Sequence, residues 1–503
     1  MSGAARRDGL YTALSPRTAA LFVALYCAAN AAITLASGPA LALDDVKLNV
    51  LTQSWRPGYL PDNPPLFEWT LILAQGVFGP TLASFVAVKY FFLTATAAFT
   101  FLALREAGAE RRAAAAGALL LPLIPQIGLA YHQTLTHSAA LIAATAFFWF
   151  ALLRMERRRR LSDFALLGIA IGLGALSKYA VIPPMLVALA AALSRPSLRR
   201  SLLRPQLALT VAVAALMVSP HLLWLAETHG RAAALFQERF IGSAGYRFRV
   251  GEGLASAAWA IAVFFAPTLV LLFIADRQSF RSLWSNRNSL LFASAAAASV
   301  LILAAVLLLG LSNFQERYAL AFLFPGFLWL IATSAKVYDA PRLFSALLVA
   351  SAALSIASAG VRAVEAFSPG RPFCTSCRQH IPYLYLQRAL DGKAGVEDTL
   401  VAFDDNTAGN LRRLFPNLRV ISALHIENAP PARATGDCLL IWSTDISPPP
   451  APSALDQLDQ TRFERAGGPW RLRMRGEKEL RSTWWTIAEI ERSTPMRAAL
   501  CQD

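Results

Sequence analysis

The sequence predicts a polytopic α-helical membrane protein with a small α/β domain at its C-terminal end. Of the 503 residues, 55% are hydrophobic and only 16% are charged, and the mean hydropathy is +0.44. Soluble globular proteins carry charge on about a quarter of their residues. Apolar segments of membrane-spanning length recur as far as residue 360 and then stop. These two observations place most of the chain in a bilayer.

About eleven segments have the roughly 15–23 residues and the apolar composition that a bilayer requires. They are 18–37, 82–104, 113–130, 135–153, 163–177, 179–194, 205–226, 254–275, 289–311, 319–335 and 343–360. We interpret the first segment as a span and not as a cleaved signal peptide, because it is long enough to cross the membrane.

The basic residues of the gaps between these spans predict the orientation of the chain. Runs such as "RMERRRR" (154–160) and "SRPSLRRSLLR" (194–204) fall on one side when the spans are counted in this way. That side is cytoplasmic by the positive-inside rule. The N-terminus is then cytoplasmic, and an odd number of spans places the C-terminal region outside. The same placement explains the net charge of +15 without nucleic-acid binding.

The sequence divides into a membrane domain, 1–362, and a C-terminal domain, 363–503, with a first outer loop at 38–81. Buried strands are predicted at 399–404, 417–422 and 438–444, with a helix at 407–415, which indicates a small α/β layer. Cys374, Cys377, Cys438 and Cys501 all lie in this region. We expect at least one disulfide in an oxidising compartment. Free thiols are the alternative, and a metal or redox role for Cys374 and Cys377 is only weakly indicated.

The first outer loop holds an unusual group of charges, Asp44, Asp45 and Lys47. If Asp44 opens a short helix, Lys47 lies one turn further on the same side. A second face of that helix, formed by Leu43, Val46, Val50 and Ser54, is then apolar enough to lie on the bilayer. In the alternative interpretation, Asp44 merely caps the helix and Asp45 complements its dipole.

A second short helix is predicted later in the same loop. The segment "LFEWTLILAQGVFG" (66–79) is apolar but short, and it ends at Gly79-Pro80. This composition is typical of a helix that lies in the membrane interface.

Further polar residues are predicted at or near the outer ends of the spans. They are His132, His137, Lys178, His221, Arg317 and Tyr318. Ionisable residues at bilayer depth usually face the interior of a bundle or a cavity. Their location on one side favours an enzyme that works on one face over a transporter, whose site lies near the midplane. The spacing of His132 and His137 does not match the HxxxH arrangement of a helical metal site.

The first loop resembles that of a known family. The residues on which this resemblance rests are Asp44-Asp45-Val46-Lys47, Asn63-Pro64-Pro65-Leu66, Trp69 and Phe78-Gly79. This pattern resembles the polyprenyl-phosphate-dependent C-type glycosyltransferases, in particular the family 39-like bacterial enzymes related to lipid A aminoarabinose and galacturonic acid transferases. The stretches "GLGALSKYAVIPP" (172–184), "SPHLLWLAETHG" (219–230) and "ERYALAFLFPGFLW" (316–329) are similar to the family as well. The resemblance covers roughly residues 15–365 and leaves out the tail.

The resemblance implies the C-type glycosyltransferase fold, in a multi-pass enzyme of the bacterial inner membrane with a periplasmic C-terminal domain. Such an enzyme transfers a hexose, pentose or uronic acid, with inversion, from a polyprenyl-phosphate donor. The acceptor is a glycolipid such as lipid A or lipopolysaccharide, a glycan or a protein. The resemblance does not imply a particular cofactor, and it leaves open whether the enzyme requires a divalent metal.

The family pattern also implies roles for individual residues. Asp44 matches the catalytic acidic residue, whose implied role is that of a general base or an acceptor-positioning group, with Asp45 beside it. The expected contacts to the donor phosphate are Lys47, Lys178 and Arg317. The expected substrate cavity is lined by the remaining polar residues that were singled out: Asn63, His132, His137, His221 and Tyr318.

The sequence departs from the family pattern at three places. Asp45 replaces a Glu, Asn63 stands where relatives often carry a Lys, and His137-Ser138 stands where many have an acid. These changes indicate a different sugar or acceptor. Two other functions remain open: a transporter or flippase of lipid-linked sugars, and a non-catalytic anchor that presents the tail domain.

Overall fold

The computed structural model describes residues 16–133, 135–227, 245–275, 289–312, 314, 316–334, 341–367, 380–431, 436–446, 456–473 and 478–501. The chain forms two compact units. A helical unit comprises Met1–Asn30, Pro57–Phe67 and Lys89–Ala359, and a mixed unit comprises Ala31–Arg56, Glu68–Val88 and Gly360–Asp503. The first outer loop is thus divided between the two units. The predicted domain boundary after residue 362 stays a prediction.

Seventeen helices of at least seven residues lie in the described ranges. In chain order they are α1 (Pro16–Ala36), α2 (Asp44–Leu51), α3 (Leu66–Phe78), α4 (Leu82–Glu106), α5 (Arg111–Leu119), α6 (His137–Arg158), α7 (Leu161–Ser177), α8 (Ile182–Leu193), α9 (Pro196–Leu202), α10 (Leu207–Glu227), α11 (Tyr246–Ala275), α12 (Leu290–Leu309), α13 (Glu316–Thr333), α14 (Pro341–Phe367), α15 (Leu384–Leu390), α16 (Asp405–Leu414) and α17 (Pro495–Cys501). Both short helices predicted in the first outer loop are present, as α2 and α3.

Six of these helices, α1, α4, α6, α10, α11 and α12, are long and apolar enough to cross a membrane, and a seventh span results if the bent pair Tyr179–Leu193 and Pro196–Leu202 counts as one. The predicted span at 113–130 is broken. Helix α5 gives way to a 3-10 turn at Leu121–Leu123 and a π-helical turn at Gln126–Ala130. Pro122 and Pro125 account for the break, because proline lacks the N–H that continues a helix. The helical polytopic architecture is confirmed, whereas the total of eleven spans stays a prediction.

Helix α6 is the most buried of these six helices, with 94% of its apolar stretch buried, and α7 packs against it. Small residues bring α7 close to α10. A Cβ atom on Gly168 would lie 2.6 Å from the carbonyl oxygen of Thr210, and the Thr210 hydroxyl donates to the Phe164 carbonyl at 2.8 Å. Close backbone approach at small residues, with a hydroxyl as an interhelical donor, is a common way to pack helices in membranes.

The mixed unit contains a five-stranded sheet in the order β2-β1-β3-β5-β4. Strand β1 (Thr399–Ala402) pairs in parallel with β2 (Arg419–Ser422) and with β3 (Cys438–Trp442). Strand β5 (Lys478–Ile490) is antiparallel to β3 and to β4 (Leu458–Arg473). The three strands and the helix predicted in the tail are present. The β4–β5 hairpin was not predicted, because Gly467-Gly468-Pro469 reads as a break within β4.

A disulfide joins Cys438 at the start of β3 to Cys501 in α17. Both cysteines belong to an apolar cluster of the sheet together with Val401, Leu440 and Ile490. The prediction of at least one disulfide is confirmed. Cys374 and Cys377 lie outside the described residues.

Candidate functional site

Asp44 is the first residue of α2 and is exposed. The preceding residue, Leu43, occupies the N-cap position with φ 57° and ψ −134°, and no side chain caps the helix there. This backbone conformation favours glycine, and for other residues it costs about 1–3 kcal/mol. The alternative that Asp44 is the N-cap is therefore wrong. Within the described part of the chain, the Asp44 carboxylate has no hydrogen-bond or ion-pair partner.

The two adjacent acids of α2 differ in their surroundings. Asp45 is buried, with 9% of its surface exposed, whereas Asp44 is open. Lys47 is half-buried and lies three residues after Asp44, on the same side of the helix. The structure therefore presents one carboxylate and one ammonium together, and it separates Asp45 from them.

The apolar face of α2 does not lie on a bilayer as we expected. Val46 is buried at 2% exposure, and Val50 belongs to the core of the mixed unit together with Leu411 of α16 and Val420 of β2. That expectation is wrong for Val46 and Val50, although Leu43 is exposed. The C-terminal segment covers this face, and a pattern local to residues 43–54 cannot reveal a partner so far along the chain.

Helix α16 holds α2 at both ends. Before α2, the Leu41 N–H donates to Asn410 Oδ1 at 2.9 Å, and Asn410 Nδ2 donates to the Leu41 carbonyl at 3.1 Å. After α2, the Arg412 guanidinium donates to the carbonyls of Asn49 and Thr52 and to the Thr52 hydroxyl. A cation at this end satisfies the last carbonyls of the helix and complements its dipole. The helix that carries Asp44 and Lys47 is therefore fixed by the tail.

A second charged group lies beside α2 in the mixed unit. Asp405 at the start of α16 accepts a hydrogen bond of 2.6 Å from the Ser422 hydroxyl, and its other oxygen lies 3.2 Å from His425 Nε2. Burial raises the pKa of Asp405, but the hydrogen bonds from His425 and Ser422 and the charges of His425 and Lys47 outweigh this and lower it overall. The sequence contained one signal for this residue, since Asp405 directly follows the strand predicted at 399–404.

In the helical unit, three predicted site residues lie together. Lys178 Nζ donates to Ser138 Oγ at 3.0 Å and lies 5.2 Å from the centroid of the Tyr318 ring. The Arg317 guanidinium lies 5.5 Å from the same centroid. Two cations around one ring form an electropositive group that suits an anion.

His221 holds part of the first outer loop in the helical unit. Its Nδ1 donates to the Pro57 carbonyl oxygen at 3.0 Å, so in the neutral ring its Nε2 accepts from the Tyr179 hydroxyl at 2.9 Å. The ring stacks on Trp224, and Trp224 fills the space that a Cβ atom on Gly58 would need. These contacts fix the loop against the end of α10, and the predicted place of His221 in the substrate cavity stays a prediction.

The three remaining predicted cavity residues, His132, His137 and Asn63, make other contacts. His132 is buried between two tyrosines, with Nε2 2.7 Å from the Tyr26 hydroxyl and Nδ1 3.0 Å from the Tyr90 hydroxyl. His137 is buried, with its ring centroid 5.6 Å from that of Phe67. Asn63 is half-buried in a turn closed by its N–H and the Leu60 carbonyl.

The described residues do not fit a metal site. No three His, Cys, Asp or Glu side chains among them are arranged to hold a metal ion. His132 is buried and has both ring nitrogens next to hydroxyl groups. The described residues therefore offer no arrangement that would hold a metal ion.

The chain is similar to known glycosyltransferases. Residues 62–224 match the family model of dolichyl-phosphate-mannose-protein mannosyltransferases. The chain is 28% identical over 444 residues to the lipopolysaccharide core galacturonosyltransferase RgtA of Rhizobium johnstonii, covering 85% of this chain and 86% of that protein. It is 28% identical over 437 residues to the lipopolysaccharide core galacturonosyltransferase RgtB of the same organism, covering 84% and 86%.

Solved structures agree in fold. The crystal structure of ArnT from Cupriavidus metallidurans bound to undecaprenyl phosphate matches with a TM-score of 0.59 and 13% identity, covering 94% of this chain and 98% of that chain. The apo structure matches with a TM-score of 0.56, covering 93% and 97%. The chain thus has the helical polytopic C-type fold that the sequence predicted. It is a membrane glycosyltransferase in which residues 62–224 match the model of the dolichyl-phosphate-mannose-protein mannosyltransferases.

Proposed function

We propose that this enzyme transfers a sugar from a polyprenyl-phosphate donor to a lipopolysaccharide-type glycolipid at the periplasmic face of the bacterial inner membrane. Its two curated relatives are named as lipopolysaccharide core galacturonosyltransferases, so galacturonic acid is the first sugar to test. The observation that carries the proposal is the exposed carboxylate of Asp44, free of partners among the described residues, with Lys47 one turn away.

Asp44 acts as the general base. As the acceptor hydroxyl attacks the anomeric carbon, its proton passes to the Asp44 carboxylate, the new glycosidic C–O bond forms, and the bond to the phosphate oxygen breaks. Attack opposite the leaving group inverts the anomeric centre. A positioned carboxylate contributes about 10²–10⁴-fold to such a step. An exposed, unpaired acid suits this role because nothing has to be displaced before the acceptor reaches it.

Lys47 stabilises the departing polyprenyl phosphate. Negative charge grows on the phosphate as the glycosidic bond to it breaks, and a cation positioned in advance lowers the energy of that transition state. Lys178 and Arg317 form a second basic group suited to an anionic phosphate, which we propose as a separate donor contact. The donor KM of the Lys178→Ala and Arg317→Ala variants tests this contact independently of Lys47.

The proposed topology has eleven spans, with the N-terminus in the cytoplasm and the C-terminal domain in the periplasm. The arginine runs at 154–160 and 194–204 support the orientation. The Cys438–Cys501 disulfide supports the periplasmic placement, because disulfides persist in oxidising compartments.

The test is to incubate membranes containing the enzyme with polyprenyl-phosphate galacturonic acid and lipopolysaccharide core, and to weigh the acceptor by mass spectrometry. We expect the acceptor to gain the mass of one uronosyl residue. A parallel reaction with polyprenyl-phosphate aminoarabinose and lipid A tests the other sugar class. If lipid-linked sugar crosses vesicle membranes while no acceptor gains mass, the protein is a transporter and the proposal fails.

A further inference from the structure

We propose that Asp405 of the C-terminal segment is a positioning residue for sugar transfer, which holds the Lys47 ammonium in the orientation that receives the donor phosphate. This inference rests on the proposed role of Lys47. It assigns the C-terminal region, which the family resemblance does not cover, an indirect part in the chemistry, through Lys47.

The first step of the argument is the packing of two helices. Gly409 on α16 lies against α2 so closely that a Cβ atom would stand 2.6 Å from Val46 Cα. Lys47 is the residue after Val46, and Asp405 lies one turn before Gly409. The contact therefore brings the start of α16 to the part of α2 that carries Lys47, and the Lys47 charge acts on Asp405.

The second step is that the Asp405 carboxylate is itself fixed. Both oxygens have partners, Ser422 at 2.6 Å and His425 at 3.2 Å, and the side chains of Asp405 and His425 are only 20% and 17% exposed. A lysine ammonium is a point charge on a flexible four-carbon stem. A fixed carboxylate nearby restricts where that charge rests. The same attraction favours the charged form of Asp405, in line with its lowered pKa.

The third step is that helix α16 does not need Asp405 for its own start. Asp404 is the N-cap, and its carboxylate accepts the Thr407 N–H at 3.0 Å. Asp405 is the next residue, where a neutral side chain of the same shape would preserve the cap. Asp405 is instead held by Ser422 and His425 at the end of α16 that packs near Lys47, which is better explained by an effect on Lys47.

The experiment is a double-mutant cycle on the full-length enzyme with Asp405→Asn and Lys47→Ala, measuring kcat and KM for the polyprenyl-phosphate donor and the thermal unfolding midpoint. In the presence of Lys47, we expect Asp405→Asn to lower kcat/KM for the donor by about 3- to 30-fold, a typical range for coupled neighbouring residues. In the Lys47→Ala background, the same change should have almost no further effect. Glu464→Gln is the matched control, since it removes a carboxylate of the same unit that pairs with exposed Lys393.

The outcomes separate the inference from the proposed function. If Lys47→Ala leaves donor kinetics unchanged, the phosphate role of Lys47 fails, and the inference fails with it. If Lys47→Ala impairs the enzyme but Asp405→Asn is silent, or is equally harmful in both backgrounds, only the inference is overturned. Should Asp405→Asn not fold, His425→Ala replaces it in the cycle, because it frees the carboxylate from one partner. The same pattern with a smaller loss then supports the inference, and equal losses overturn it.

Discussion

Gly409 of helix α16 packs directly on the backbone of Val46 in helix α2, with room for a hydrogen atom and no room for a methyl group. The Asn49 side chain crosses the same contact and donates to the Gly409 carbonyl at 2.9 Å and to the Pro80 carbonyl at 3.1 Å. The helix that carries the proposed catalytic acid therefore depends for its position on a residue of the C-terminal segment.

Gly409→Ala should separate the two helices. The added Cβ would meet backbone atoms of Val46, which cannot move aside as a flexible side chain can. We expect a loss of about 1–3 kcal/mol in the free energy of unfolding and a fall in transferase activity from the displacement of Asp44. Thermal unfolding and the donor assay measure the two effects.

Gly76→Ala in α3 is the matched control for this substitution. No atom of the described residues lies within 4 Å of the position that its Cβ would take. Because alanine forms helices better than glycine, this variant should be neutral or more stable by up to about 1 kcal/mol. If Gly409→Ala behaved like Gly76→Ala, the close contact between α16 and α2 would not exist in the protein.

Substitution of Asp44 should reduce activity, whereas substitution of Asp45 should reduce stability. Asp44→Asn removes an exposed carboxylate, so we expect about a 10²–10⁴-fold fall in kcat with an unchanged unfolding midpoint. Asp45→Asn alters a buried side chain and should lower the free energy of unfolding by about 1–3 kcal/mol. Full transfer activity in Asp44→Asn would refute the assignment of the general base.

Leu43→Gly should make the protein more stable and less active. The positive φ of Leu43 suits glycine, and the leucine side chain is 54% exposed, so little packing is lost. Relief of the strain should add about 1 kcal/mol to the free energy of unfolding. The freed backbone should hold Asp44 less firmly and lower kcat. A lower unfolding midpoint in Leu43→Gly would show that the leucine is held there by packing and not under strain.

Local sequence was sufficient to predict several helix ends and the secondary structure of the tail. The start of α2 at Asp44, the end of α3 before Gly79-Pro80, and the strands and helix of the tail were predicted from spacing, helix-breaking residues and runs of apolar residues. The membrane architecture followed from composition. The first loop also identified Asp44 and Lys47 as candidates, because its motif resembles that of a family.

The support around those candidates could not be predicted in this way. Leu41 and Asn410 are separated by 369 residues, and no periodicity within either segment indicates that they meet. Val46 and Val50 read as a membrane-facing stripe because apolar residues look the same whether lipid or protein covers them. The role proposed for Asp405 could not be predicted for the same reason. An acid after a strand indicates no function by itself, and only the packing of α16 on α2 relates it to Lys47.

Acid should destabilise the mixed unit partly through Asp405. Its pKa is lowered from the ordinary value of 3.8, so the unfolded chain binds the proton more readily than the folded one. The stabilising contribution is then fully present above about pH 4 and is lost as pH falls through the lower, folded value. Asp405→Asn cannot lose this contribution, so its unfolding midpoint should fall less steeply than that of the wild-type enzyme between about pH 5 and pH 3.

Thermal unfolding of both proteins across that range measures the difference, with Glu464→Gln as a control that should follow the wild type. Parallel curves for the Asp405→Asn and wild-type enzymes would mean that the carboxylate gains nothing from His425, Ser422 and Lys47 in the folded state.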